Sequence, residues 1–302
     1  MKRNLILLFA FAFGSVAHAG SRSSVNYNIA TDSADAGGTR MTSLNYTQDG
    51  CVGGIAGLAI SSALAETVKQ GYAGQLYDVT DLRLDSAGAT TVNETGALQL
   101  GAWQFLDDSS LLAIEPNLVT WGVISGPVSG ISPSGLVTAG TVYQDTAASV
   151  QGGFGGFVGK LNLTVLETLP DNFGSYAGDG LEDAWQVHWF GLNNPLAGPN
   201  VDPTGNGQSN LFNYIAGLDP TDVNARFVLT LELVPGQPTQ KQVVFRPVVA
   251  GRTYVVKYRH DLDTAWTTLV GAVQNDAGAV RTVTDANAKE IQRFYQVEIS
   301  KP

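Results

Sequence analysis

The chain has 302 residues, of which 44% are hydrophobic and 15% charged, with 35 glycines and 12 prolines. That length suits two or three domains, and the apolar content excludes a disordered protein. Lys and Arg number 17 against 27 Asp and Glu, a net charge of −10, which is the wrong sign for clamping phosphates and excludes nucleic acid as a partner. The single cysteine, Cys51, permits no internal disulfide.

The first element reads as an export signal. Lys2 and Arg3 precede an apolar run over 5–13, and Ala17-His18-Ala19 places small residues where a signal peptidase reads, so cleavage is expected after Ala19. The run is too short to span a bilayer, and no later segment reaches that length. Residues 1–19 are therefore expected to be a signal peptide. The mature chain is expected to be secreted, extracellular or at a bacterial cell surface, with no transmembrane segment.

Residues 20–78 form a Gly/Ser-rich stretch with a short echo. Ser24-Val25-Asn26-Tyr27 returns nineteen residues later as Ser43-Leu44-Asn45-Tyr46, and glycine pairs follow at Gly37-Gly38 and Gly53-Gly54. Short strands joined by glycine turns are predicted. The closing run Val68-Lys69-Gln70-Gly71-Tyr72-Ala73-Gly74-Gln75-Leu76 resembles the N-terminal segments of exported Verrucomicrobia-type surface proteins, a resemblance that carries no function with it.

Residues 79–167 read as strands and turns. Leu161-Asn162-Leu163-Thr164-Val165 alternates with the period of a half-buried strand. Trp121, mid-strand in Val119-Thr120-Trp121, is predicted to fill the space between two sheets. The glycine-rich run 152–159 fails as a nucleotide loop, because Val158 stands where a third glycine is needed and no βαβ pattern surrounds it. It is predicted to be a hairpin. The order of Val119-Thr120-Trp121, Gly135-Leu136-Val137-Thr138-Ala139-Gly140 and Leu163-Thr164-Val165 resembles a bacterial immunoglobulin-like group 2 domain. That resemblance implies an immunoglobulin-like β-sandwich acting as a spacer or adhesive module.

Residues 168–225 carry the only helical periodicity. Leu181, Trp185 and Trp189 recur at i, i+4 and i+8 ahead of Gly191, and Ser209 caps a shorter helix with Leu211, Phe212 and Ile215, closed by Gly217. Across 161–225 there are eight acidic residues and no Lys or Arg. Oxygen donors alternate before each helix. The first set is Asp179, the Leu181 carbonyl and Asp183; the second is Asp202, Thr204, Asn206, the Gln208 carbonyl and Asn210, bent at Gly207 and followed by Asp219 and Asp222. Hard cations take six to eight oxygens from such loops. Calcium is the cofactor this spacing points to, with Asp179, Asp183, Asp202, Asn206, Asn210 and Asp219 as ligands. The segment resembles the thrombospondin type 3 or dockerin-like calcium repeats of bacterial surface proteins. Ser175, Ala177, Thr204, Asn206 and Asn213 stand where those repeats are acidic, which implies a weak site.

Residues 226–302 return to β-rich runs, broken at Pro-Gly and Ala-Gly, and predict a small fibronectin-like sandwich. The runs Tyr254-Val255-Val256-Lys257-Tyr258 and Arg293-Phe294-Tyr295-Gln296-Val297 resemble C-terminal modules of the same exported proteins. No catalytic pair emerges. His188 sits on the first helix and His260 in a turn, Cys51 has no histidine near it, and the neighbouring carboxylates Asp107-Asp108 and Glu182-Asp183 lack a cleft to separate their titrations.

The expectation is a mainly β chain of immunoglobulin-like sandwiches joined by a short helix-containing segment. It is expected to be non-catalytic and structural or adhesive, with an extracellular polymer or protein as partner. The rival reading is a carbohydrate-binding or carbohydrate-active accessory protein that stacks sugars on Tyr254, Trp266 and Tyr295. Burial of those aromatics would favour the structural reading.

Overall fold

The computed structural model describes residues 22–23, 28–29, 37–43, 47–52, 57–61, 66–70, 77–289 and 292–302. It is mainly β, with several separate sheets and two α-helices among the described residues. The chain divides into two compact units, one of residues 1–140 with 146–165, the other of 141–145 with 166–302.

The first unit opens with three two-stranded hairpins: β1 (Arg22–Ser23) with β2 (Asn28–Ile29), β3 (Gly37–Thr42) with β4 (Thr47–Val52), and β5 (Gly57–Ser61) with β6 (Glu66–Gln70). Their return strands begin at residues 28, 47 and 66, nineteen apart, so the two-copy sequence echo is the visible part of a three-copy hairpin array.

Beyond it, β10 (Gly101–Leu106) lies between β7 (Val79–Asp85) and β11 (Leu111–Ile114). A second sheet runs β12 (Thr120–Ser125), β15 (Thr146–Phe154), β16 (Phe157–Leu166), β8 (Thr91–Asn93). A third joins β9 (Ala97–Gln99), β14 (Leu136–Ala139) and β13 (Val128–Ile131). Alternation on β10 turns Ala102, Gln104 and Leu106 inward. The core combines Leu82, Leu84 and Ala102 with Ile114, Val119 and Phe154, and Trp121 and Ile60 pack against it.

Trp121 is pinned by its ring N–H, which donates to the Pro116 carbonyl at 2.9 Å. Gly152 sits beneath it, where an added Cβ would come within 2.8 Å of Val119 and 3.1 Å of both Leu84 and the Trp121 ring. The run 152–159 is the end of the β15–β16 hairpin. Its two turn residues, Gly155 and Gly156, have φ of 58° and 85°, the left-handed pair a two-residue hairpin demands.

In the second unit one sheet has the order β17 (Val228–Val234), β18 (Gln237–Arg246), β22 (Val280–Asp285), β21 (Val273–Ala277). The other is β20 (Thr267–Thr268), β19 (Thr253–Arg259), β23 (Phe294–Ser300). Val243, Phe245, Val256 and Val283 form the core, and Phe227, Tyr254 and Tyr295 pack on it. Six of these strands fall on the β-rich runs 227–233, 243–246, 254–259, 266–270, 280–284 and 294–299 of the sequence. The seventh, β21, is polar and wholly exposed, so it has no apolar alternation to betray it.

The helices α1 (Asp183–Phe190) and α2 (Asn210–Ala216) belong to this unit and are bonded to its sandwich. Gln208 exchanges two hydrogen bonds with the backbone of Phe227, at 2.8 and 2.9 Å. Arg252 donates to the Tyr214 carbonyl, and Lys301 donates to both Glu182 and the Tyr214 hydroxyl at 2.7 Å.

Candidate functional site

Both helices bury polar faces. On α1 the buried residues are Asp183 and Gln186, while Trp185 and Trp189 are half-exposed. On α2 they are Asn210, Asn213 and Ala216, while Leu211 is exposed. This corrects the apolar stripes expected from sequence: Leu181 is buried, but it precedes α1 rather than lying on it. The inward side chains are those that a loop of fixed spacing places inside.

Counted from Asp202 as position 1, oxygen-bearing residues occupy positions 1, 3, 5, 7, 9 and 12, namely Asp202, Thr204, Asn206, Gln208, Asn210 and Asn213. Gly207 at position 6 has φ 89°. That is the ligand spacing of a twelve-residue, helix-flanked cation loop. Counted from Ser175, the segment before α1 repeats the frame with Asp179 at 5, Leu181 at 7, Asp183 at 9 and Gln186 at 12. Gly180 at position 6 again has φ 89°.

The hydrogen bonds follow the frame. The Asp202 carboxylate accepts from the backbone N–H of Asn206 at 3.2 Å and of Gly207 at 2.6 Å. Desolvation pushes its titration up, but the N–H bonds, Gly207 first, outweigh that and hold it below the usual carboxylate value. Asn206 accepts from Gln208 N–H as Asp179 accepts from Leu181 N–H. Between the two loops a single turn of 3₁₀ helix, Pro195–Ala197, offers carbonyls to both helices. Gln186 Nε2 donates to Ala197, and Asn210 Nδ2 donates to Leu196 and Gly198.

These donations fix which end of each amide faces which way. Besides one buried donor without an acceptor, Asn206 Nδ2, what remains on the two loops is a set of oxygens. Gln186 Oε1, Asn210 Oδ1, Asn213 Oδ1 and Asp183 Oδ1 are buried and accept no hydrogen bond, and their residues are at most 1% exposed. They are positions 9 and 12 of both loops. A buried acceptor left without a donor costs about 1–3 kcal/mol, so four in one layer is a concentration that calls for a missing partner. Burial also drives the Asp183 carboxyl above its ordinary value. Backbone N–H bonds from Phe173 and Asn172 pull it down, and the carboxylates of Asp171 and Asp179 push it up again.

Among the described residues no three Asp, Glu, His or Cys side chains are grouped to hold a metal ion. The available donor set is therefore mixed, combining carboxylates with amide and backbone oxygens, as suits a hard cation rather than a soft one. Of the residues expected from sequence, Asp179 and Asp183 lie in the first loop and Asp202, Asn206 and Asn210 in the second. Asp219 turns instead to its own loop, accepting from the Thr221 amide and hydroxyl. Sequence reasoning overlooked Gln186 and Asn213 as inward donors and Asp171 altogether. The constant distance from the position-6 glycine to positions 9 and 12 would have found the first two.

No family model and no curated protein matches the chain. The site must be read from its own chemistry.

Elsewhere in this unit a cleft of about 770 Å³ is walled by Leu218, Val223, Val228, Pro247 and two arginines, Arg226 and Arg246. His188 stacks edge-on against Trp189, and His260 against Tyr258. Tyr254 lies parallel to Phe227 at 6.3 Å and beside Phe245 at 5.5 Å, with its hydroxyl accepting from Val249 N–H. Trp266 is half-buried and carries Arg259 over its ring at 4.4 Å.

Proposed function

We propose that this chain is a non-catalytic, exported structural or adhesive module whose helical layer is organised by calcium. The observation that carries the reading is the set of four buried, donor-free oxygens at positions 9 and 12 of two loops with one spacing. A divalent ion satisfies several such oxygens at once, and it supplies positive charge to a stretch, 161–225, that has no Lys or Arg of its own. Loss of acidic ligands at Ser175, Ala177, Thr204, Asn206 and Asn213 places the dissociation constant in the range of extracellular modules, roughly 10⁻⁴–10⁻³ M. The partner is an extracellular polymer or protein. The sugar-stacking alternative loses support from Tyr254 and Tyr295, which pack on the core.

The test is thermal unfolding of the full mature chain in 10 mM calcium and in chelator. At ten to a hundred times the dissociation constant, binding to the folded form adds about 1.4–2.7 kcal/mol. A midpoint rise of roughly 3–10 °C is expected for a unit of this size, with magnesium a poor substitute. Equal midpoints in calcium and chelator would refute the calcium reading.

A further inference from the structure

The two loops share a frame but not a first residue. Position 1 of the second loop is Asp202, whose Oδ1 accepts from the position-5 amide of Asn206 and whose Oδ2 accepts from the position-6 amide of Gly207. Position 1 of the first loop is Ser175, whose hydroxyl is turned to Asn193. The same backbone amides are nevertheless capped. Asp171, four residues before the frame begins, accepts on Oδ1 from Gly178 N–H at 2.7 Å and Asp179 N–H at 3.1 Å. On Oδ2 it accepts from Gly180 N–H at 2.8 Å. Those amides are positions 4, 5 and 6. The pairing of Oδ1 with position 5 and Oδ2 with position 6 is the pairing that Asp202 makes. A carboxylate from outside the loop has taken the place of the missing leading one.

We propose that Asp171 is the leading carboxylate of the first loop, and that this loop, rather than the second, is the calcium site of the chain.

The charge inventory favours the first loop. Four carboxylates stand on or just before it, Asp171, Asp179, Glu182 and Asp183, of which Glu182 is paired with Lys301. The second observation is independent of charge: Asp183 Oδ1 and Gln186 Oε1, at positions 9 and 12, are buried acceptors without donors, as Asn210 Oδ1 and Asn213 Oδ1 are in the second loop, but only in the first is one of them a carboxylate oxygen. The second loop has one carboxylate, and its position-12 amide already donates to the position-7 carbonyl, Asn213 Nδ2 to Gln208 O at 3.4 Å. In the first, the position-12 amide likewise donates inside the loop, Gln186 Nε2 to Asp179 Oδ2 at 2.8 Å.

This inference rests on the calcium reading above, and its test separates the two. Calorimetric titration of the full mature chain with calcium chloride should give one site. Asp171→Asn keeps an acceptor for the loop amides while removing charge, and should weaken binding at least tenfold; Asp179→Asn should do the same. Asp202→Asn should change affinity by less than threefold. Far-ultraviolet circular dichroism checks that each variant is folded, and Asp179→Asn decides the matter if Asp171→Asn is not. No calcium heat from the parent chain would sink the calcium reading itself. Binding that survives both first-loop variants, that fails in Asp202→Asn, or that has two-site stoichiometry would leave calcium standing and overturn the assignment to Asp171.

Discussion

Asp285, the last residue of β22, offers a sharp test of how the second unit is held together. It is 3% exposed and accepts from Arg293 Nη1 at 2.5 Å and the Tyr295 hydroxyl at 2.8 Å on one oxygen, and from Asn287 N–H on the other. Arg293 is itself only 8% exposed. Burial pushes the Asp285 carboxyl up, but the Asn287 amide, the Tyr295 hydroxyl and the Arg293 guanidinium together hold it below its ordinary value. Asp285→Asn keeps the volume and one acceptor but removes the charge facing Arg293. Breaking one side of a buried pair costs about 3–5 kcal/mol, and the retained acceptor places this case near the lower end.

For a unit of this size, about 3 kcal/mol corresponds to a fall in midpoint of roughly 6–12 °C. The pH dependence follows from a depressed native titration. The contribution of the carboxylate is complete above the unfolded value of about 3.9 and is lost as pH falls through the native value. Urea unfolding of parent and Asp285→Asn chains, followed by circular dichroism, should therefore show a wide gap at pH 7 that is smaller at pH 2. Adding Arg293→Met to Asp285→Asn should recover part of the loss, because the stranded charge has gone. A gap below about 1 kcal/mol at pH 7, or one of equal size at both pH values, would refute the reasoning.

Two further outcomes are expected. Gly152→Ala drives a methyl against Val119, Leu84 and Trp121 and should cost about 1–3 kcal/mol by overpacking, whereas Gly130→Ala, with open space around its would-be Cβ, should cost less than 1 kcal/mol; equal effects in urea melts would argue against the packing described here. N-terminal sequencing of the protein exported by its host should begin at Gly20, and a product beginning at Met1 would remove the basis for export.

Elements that advertise themselves by alternation were legible. The strands of the second unit carry apolar residues at every second position where they face Phe245 and Val243, and the β15–β16 hairpin announces its turn with Gly155-Gly156. The strand β21 was silent because all its side chains face water. The third N-terminal hairpin was hidden differently. At the matching point of its period it carries Ser62-Ala63-Leu64-Ala65 in place of the motif at 24–27 and 43–46, so only the nineteen-residue spacing of the strands reveals it. In the helical layer the alternating oxygens of both loops were readable as a donor pattern. The inward turn of Gln186 and Asn213 was not, since amides on a helix ordinarily face solvent. Asp171 was illegible for a physical reason. It enters the loop through space, by hydrogen bonds to three backbone amides, and no local spacing encodes that.

Lys301 has a consequence for the order in which the second unit forms. Its ammonium joins Glu182, 119 residues earlier, and Tyr214, 87 residues earlier, so one side chain just past the final strand ties down the N-cap of α1 and the body of α2. Contacts of such separation form only after a large loop has been closed, whereas the hairpins β17–β18 and β21–β22 close over a few residues. The sheets should therefore assemble first and the helical layer settle onto them last.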